Sequence, residues 1–226
     1  GLLVSITYGV YKVNSIARIQ PNFNLHLILE MLKYSFHMYL AGLIGFFQNN
    51  VSILIASIYI GPAQIAFFAM GKTISEISTR MIPAAVSTIL YPRISSSDND
   101  EKSKALVVKL FRLTLLIISL TTIVLCFMIK IIVFVLYGSD YYPVIDIFFI
   151  IIAAVVLVQS SSILTNYLTG TGNVYLLPRL GLPPLILQTL LTLFFINSFG
   201  IIGLAISYAI SSIFLFFLQV ISFIKI

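Results

Sequence analysis

Charge is what this 226-residue chain has least of: Asp, Glu, Lys and Arg together make up 9% of it. Soluble globular domains usually carry about 25%. So small a complement does not cover a water-facing surface of this size, which excludes an ordinary soluble domain. Cysteine is almost missing as well. Cys126 stands alone in an apolar run, leaving neither a disulfide framework nor a metal-ligand spacing, and no metal or cofactor is expected. Basic residues outnumber acidic ones by 13 to 7, but they form no cluster interleaved with aromatics, so a nucleic-acid partner is not expected. Catalytic patterns are also lacking. There is no Ser/His/Asp set, no HExxH, and no suitably placed carboxylate pair, and the chain is not expected to be an enzyme. Gly71-Lys72-Thr73 imitates the end of a phosphate-binding loop, but Ala66 occupies the position of its first glycine, within an apolar run.

What is present is hydrocarbon. Apolar residues account for 60% of the chain, and the mean hydropathy is +1.10. A bilayer-spanning helix needs roughly 20 mostly apolar residues. Six runs qualify: Tyr34–Tyr59, Ala63–Leu90, Leu106–Tyr137, Pro143–Leu168, Tyr175–Ile196 and Ile201–Ile224. Gly61-Pro62, Gly138-Ser139-Asp140 and Asn197-Ser198-Phe199-Gly200 separate neighbours, each containing a residue type that ends or restarts helices. Such short links make neighbouring helices antiparallel. An all-α integral membrane protein follows. The opening run Leu2–Val10 is too short to span and lacks the basic start of a signal peptide. Residues 1–11 therefore read as the tail of a truncated helix, 12–33 as a cytoplasmic or interfacial linker, and 34–226 as a six-helix lobe. The chain is expected to be a fragment.

Two longer connections differ in character. Lys12–Lys33 mixes Lys12, Arg18 and Lys33 with Phe23, Leu25, Leu27, Ile28 and Met31, which suits the headgroup region. Pro92–Arg112 holds five basic residues, and its Ser95–Asp100 stretch reads as a water-exposed turn. With six spans, these two loops, the Gly170–Arg179 link and Lys225 share one side and carry ten basic residues, whereas the opposite links carry none. The positive-inside rule makes the basic side, and with it the C-terminus, cytoplasmic. Asp140 and Asp146 read as a solvated loop residue and a helix-start residue.

Ionisable and polar groups within spans mark functional candidates. Lys72, Glu76 and Arg80 recur every fourth residue and so stack on one helix face, with Ser75 and Thr79 beside them. Their alternating signs favour pairing along the helix. Two readings stand: a net-positive cavity wall that attracts an anionic group, or a self-neutralised triad packed against another helix. Gln48, Asn49, Asn50 and Ser52 lie near the middle of the preceding span, as substrate contacts or as helix–helix hydrogen bonds. His37 either titrates in a proton-coupled step or satisfies a local hydrogen bond. Lys130 is expected to snorkel toward the outer headgroups.

Several ordered segments resemble a known family. They are Leu32-Lys33-Tyr34-Ser35-Phe36, then Ile60-Gly61-Pro62 with Ala69-Met70-Gly71-Lys72, and Leu90-Tyr91-Pro92-Arg93-Ile94-Ser95. Leu136-Tyr137-Gly138-Ser139-Asp140-Tyr141-Tyr142, Leu168-Thr169-Gly170-Thr171-Gly172-Asn173 and Phe199-Gly200-Ile201-Ile202-Gly203-Leu204-Ala205 follow. In this order and spacing the chain resembles bacterial O-antigen-type (Wzx-like) polysaccharide flippases of the multidrug/oligosaccharidyl-lipid/polysaccharide exporter superfamily. The resemblance implies two six-helix lobes around a central cavity, of which this chain supplies the second plus the end of the first. It implies a bacterial inner-membrane protein that flips a lipid-diphosphate-linked oligosaccharide to the outer leaflet, coupled to an ion gradient. Lys72, Glu76 and Arg80 would line the cavity. The implied partners are the bilayer, the missing N-terminal lobe, a polysaccharide polymerase and glycosyltransferases. Relatives often have proline at the position of His37 and an acid near Ser52.

Three alternatives remain open on the sequence. A drug or cation antiporter of the same superfamily would want an acidic cavity, whereas the charged stripe here is net basic. A membrane polysaccharide polymerase or glycosyl/acyl transferase would want a sizeable outer loop or an acid cluster. An accessory subunit without transport of its own would need neither.

Overall fold

The structure, a computed structural model, describes all residues except positions 1–3, 6, 10–11, 13–23, 96–99 and 226. The described residues form five long helices and no strand: α1 Leu25–Tyr59, α2 Pro62–Ser95, α3 Asp100–Tyr137, α4 Pro143–Gly170 and α5 Leu176–Lys225. One 3-10 turn, Ser139–Tyr141, joins α3 to α4. The chain divides into two compact units, Gly1–Ser35 and Phe36–Ile226. The expected helix tail is helical at positions 4, 5 and 7–9, and its other residues lie outside those described. Most of the expected linker, and residues 96–99 of the expected Ser95–Asp100 turn, also lie outside them.

Local chemistry sets the helix ends. Asn24 caps α1, its Oδ1 accepting from the backbone N–H groups of His26 at 3.1 Å and Leu27 at 3.4 Å. These would otherwise be unmatched helix-start donors. The first long helix therefore begins at Leu25, ahead of the expected Tyr34. Pro62 opens α2, where a missing N–H costs nothing. Gly138 takes φ 88° to turn the chain out of α3, a conformation that favours glycine.

Gly200 does more. Its φ of 54° and ψ of −128° interrupt α5 and divide it into limbs 176–199 (α5a) and 201–225 (α5b). A Cβ built on Gly203 would lie 2.6 Å from the carbonyl oxygen of Phe195. Eight residues along a continuous helix span about 12 Å, so the chain must double back here. The break expected at Asn197–Gly200 is real, and its two limbs match the last two expected runs.

Among the described residues, four helical stretches are long and apolar enough to cross a membrane: Leu25–Tyr59, Glu101–Tyr137, Pro143–Gly170 and Leu176–Lys225, the last being the folded pair of limbs. α2 has the length, at 34 residues, but Lys72, Glu76 and Arg80 dilute its apolar character. It differs from the other expected spans for that reason.

In the larger unit, α4 is the central post. Its sequence is apolar on every side, the pattern of a helix enclosed by others, and all three core clusters draw on it. Ile147, Ile151 and Val155 pack with Ala56 of α1, Phe68 of α2, Ile196 of α5a and Leu204 of α5b. Ile163, Leu164 and Tyr167 pack with Leu90 and Ile94 of α2 and Val107 of α3. Val144 and Phe148 meet Ile129 and Val133 of α3. Outward faces are apolar too: Leu116, Phe127 and Val135 on α3 and Phe194 on α5a are largely exposed, as hydrocarbon solvent permits.

Candidate functional site

The site begins with a glycine. A Cβ on Gly71 would lie 2.8 Å from Ile147 Cγ2 and 3.1 Å from the Val144 carbonyl oxygen. Only a glycine lets α2 approach α4 this closely, and the contact fixes the height of the next two turns of α2. Those turns carry Lys72, Glu76 and Arg80. The false phosphate-loop glycine is thus a helix-packing glycine.

Lys72 is buried, 7% exposed. Its Nζ donates to the Asn49 carbonyl of α1 at 2.5 Å and lies 3.5 Å from Asn49 Oδ1. It sits 4.7 Å from the ring centre of Tyr208 on α5b, a favourable cation–π position. Glu76 Oε1 lies 3.6 Å from Lys72 Nζ and accepts a hydrogen bond from Tyr208 Oη at 2.9 Å. Lys72 is therefore matched by a carboxylate, a carbonyl and an aromatic face, as a cation held away from water must be. Arg80 continues the stripe differently. It is exposed, and its guanidinium has no hydrogen bond or ion pair among the described residues. Pairing along the helix stops at Glu76.

A cavity of about 290 Å³ opens beside these groups. Glu76, Arg80, Gln48, Asn49, Gln159 and Tyr208 are among the residues lining it. The residues singled out from the sequence thus separate into two sets. Glu76, Arg80, Gln48 and Asn49 reach the cavity, with Lys72 immediately behind Glu76. Ser75 and Thr79 are buried, and their hydroxyls donate to the carbonyls of Gly71 and Ser75 on their own helix, at 2.8 Å each. Asn50 Nδ2 donates to the Phe46 carbonyl at 2.7 Å. Ser52 is buried between α1 and α5a, sharing hydrogen bonds with Thr192 at 3.2 Å and Gln188 at 3.0 Å. His37 lies away from this cavity, half-buried and edge-on to Phe36 at 6.2 Å. Lys130 is exposed, 5.9 Å from the Tyr142 ring at the α3–α4 turn. Among the described residues no group of His, Cys, Asp and Glu is arranged to hold a metal.

Tyr208, Gln159 and Gln188 complete the polar interior and were not picked out from the sequence. Gln188 links the helices: its Nε2 donates to the Gln48 carbonyl and to Ser52 Oγ, both at 3.0 Å. The signals that betray such residues are lone amides in apolar runs, and the run Gln159-Ser160-Ser161-Ser162 inside α4. Tyr208 gives no such signal. It meets Glu76 from 132 positions away.

The profile of a family described as polysaccharide biosynthesis protein matches residues 2–146, more than half of the chain. No curated protein and no solved structure matches it. The matched segment contains α1, α2 and α3, and with them the Lys72–Glu76–Arg80 stripe. An all-helical membrane architecture and this match converge: the chain belongs to the polysaccharide biosynthesis protein family, as a multi-pass membrane member of it.

Proposed function

We propose that the chain forms one lobe of an exporter that flips a lipid-diphosphate-linked oligosaccharide from the cytoplasmic to the outer leaflet. The observation that carries this is Arg80, unpaired among the described residues, on the wall of a polar cavity inside a membrane lobe. Lys72 neutralises Glu76 from behind, so Arg80 is the uncompensated charge of that wall. A guanidinium with free donors suits the paired acceptor oxygens of phosphate. The same charge balance disfavours a cationic drug, which needs an uncompensated acid. In this reading the side with ten basic residues, and the C-terminus with it, faces the cytoplasm, a reading that the positive-inside rule supports. An ion gradient supplies the driving force in this reading, with His37 a candidate for coupling by protonation. A second lobe, a polymerase and glycosyltransferases are its working partners.

The test is surface polysaccharide in cells carrying single variants of the complete gene product at matched expression. Arg80→Ala and Lys72→Ala should lower it more than Lys130→Ala, because Lys130, on α3, is not among the residues lining the Arg80 cavity. Equal surface polysaccharide in all three would sink the assignment.

A further inference from the structure

A second cavity, of about 270 Å³, adjoins the first. Arg80 and Gln159 line both, and Pro83, Ala84, Ser87, Ser162 and Asn166 complete it. Its chemistry changes abruptly past the shared rim. Among the described residues no carboxylate lines it, and Arg80 is the one charged group that does. The remaining polar groups are neutral hydroxyls and amides with capacity to spare. Gln159's side-chain amide has no partner among the described residues. Asn166 donates through Nδ2 to Ser87 Oγ at 2.5 Å, and its carbonyl oxygen has no partner among the described residues. The Ser162 hydroxyl donates to the Gln159 carbonyl at 2.7 Å, which leaves its oxygen free to accept.

We infer that this second cavity is a carbohydrate subsite, holding the sugar next to the diphosphate while Arg80, on the common rim, holds the diphosphate itself. The inference rests on the flippase reading and adds to it a place and a chemistry for the glycan. Three features select a sugar. Its hydroxyls each donate and accept, and this wall offers both: Gln159 donates and accepts, while Asn166 Oδ1 and Ser162 Oγ accept. Ser162 Oγ, its proton already engaged, and Asn166 Oδ1 can only accept, which disfavours phosphate oxygens beside them and leaves Arg80 as the group best suited to the diphosphate. Pro83 and Ala84 give the cavity a small apolar floor, against which the C–H face of a pyranose can lie. The volume equals that of roughly nine waters at ~30 Å³ each, enough for one sugar ring.

The experiment measures equilibrium binding to the complete gene product in nanodiscs, with two probes. One is polyprenyl diphosphate without sugar; the other is the lipid-linked oligosaccharide extracted from the cells that make it. Wild type should bind the sugar-bearing lipid more tightly. Gln159→Met with Ser162→Ala should weaken binding of that lipid roughly ten-fold, the loss of one to two hydrogen bonds, and weaken the sugar-free lipid by no more than about two-fold, since Gln159 also lines the Arg80 cavity. Arg80→Gln should weaken both probes by a similar factor. A sugar preference that survives the double variant, or is absent from wild type, overturns the subsite. If Arg80→Gln changes neither probe while the double variant removes the preference, the diphosphate reading fails and the sugar subsite stands. Gln159→Met alone, which breaks no hydrogen bond within the described residues, gives the same reading should the double variant not fold.

Discussion

The Lys72–Glu76–Tyr208 cluster makes its strongest demand on the charge opposite Lys72. Two unit charges 3.6 Å apart attract by about 4–5 kcal/mol at an effective dielectric of 20. Some of that survives removal of the acid, because Asn49's carbonyl and the Tyr208 ring stay in place around the ammonium. The Glu76 side chain is also 25% exposed to the cavity, where water weakens the pair. Glu76→Gln should therefore destabilise the protein by about 2 kcal/mol, less than the 3–5 kcal/mol typical of breaking a fully buried pair. Lys72→Met should cost about 1 kcal/mol, since Glu76 keeps its bond from Tyr208 and its contact with the cavity. The double variant should cost about 1 kcal/mol, not the sum, giving a coupling near 2 kcal/mol. Reversible unfolding of the four proteins in mixed detergent and dodecyl sulfate supplies the cycle. Strict additivity would refute the reasoning, for it would mean that Lys72 is held by Asn49 and Tyr208 alone.

Other outcomes follow from the packing and can be read by the same unfolding assay. Gly203→Ala drives a methyl to 2.6 Å from a backbone oxygen, so the hairpin of α5 should loosen at a cost of about 1–3 kcal/mol; an unchanged midpoint would contradict the reversal at Gly200. Gly71→Val wedges α2 from α4 against Ile147 and the Val144 carbonyl, and should also reduce surface polysaccharide, because it displaces the turns carrying Glu76 and Arg80. Gln188→Met removes two hydrogen bonds but also a buried Oε1 that has no partner among the described residues. These offset, and stability should stay within about 1 kcal/mol of wild type; a loss above about 2 kcal/mol would show that Gln188 holds α1 to α5a.

The helices were legible in the sequence because each break is chemical. Gly61-Pro62, Gly138 and Gly200 interrupt apolar runs at residues whose backbone behaviour is known beforehand. The helix that carries the Tyr34–Tyr59 run extends further toward the N-terminus than the run itself, because a helix begins at its cap, here Asn24, and runs on through polar surroundings. The charged stripe was legible as a face, since spacing by four needs no partner. Its surroundings were not. Whether Arg80 pairs with Glu76 depends on Tyr208 and Lys72 already occupying that carboxylate, a fact of tertiary distance. Ser75 and Thr79 share the stripe's neighbourhood by count, yet their hydroxyls turn back onto their own helix, which no spacing rule resolves.

The enclosure of α4 has a consequence for how such a protein is assembled. In water, an apolar helix is driven inward by the solvent. In hydrocarbon that drive vanishes, because lipid tails accept Ile151 or Phe148 as readily as a neighbouring helix does. Insertion and placement become separate problems: α4 enters the bilayer on its own merits, and only shape then selects the middle position. The Gly71 notch and the few interhelical hydrogen bonds are the selective elements. A variant at either should insert normally, evade any quality control that senses failed insertion, and reach the membrane as a full-length protein with its helices in the wrong arrangement.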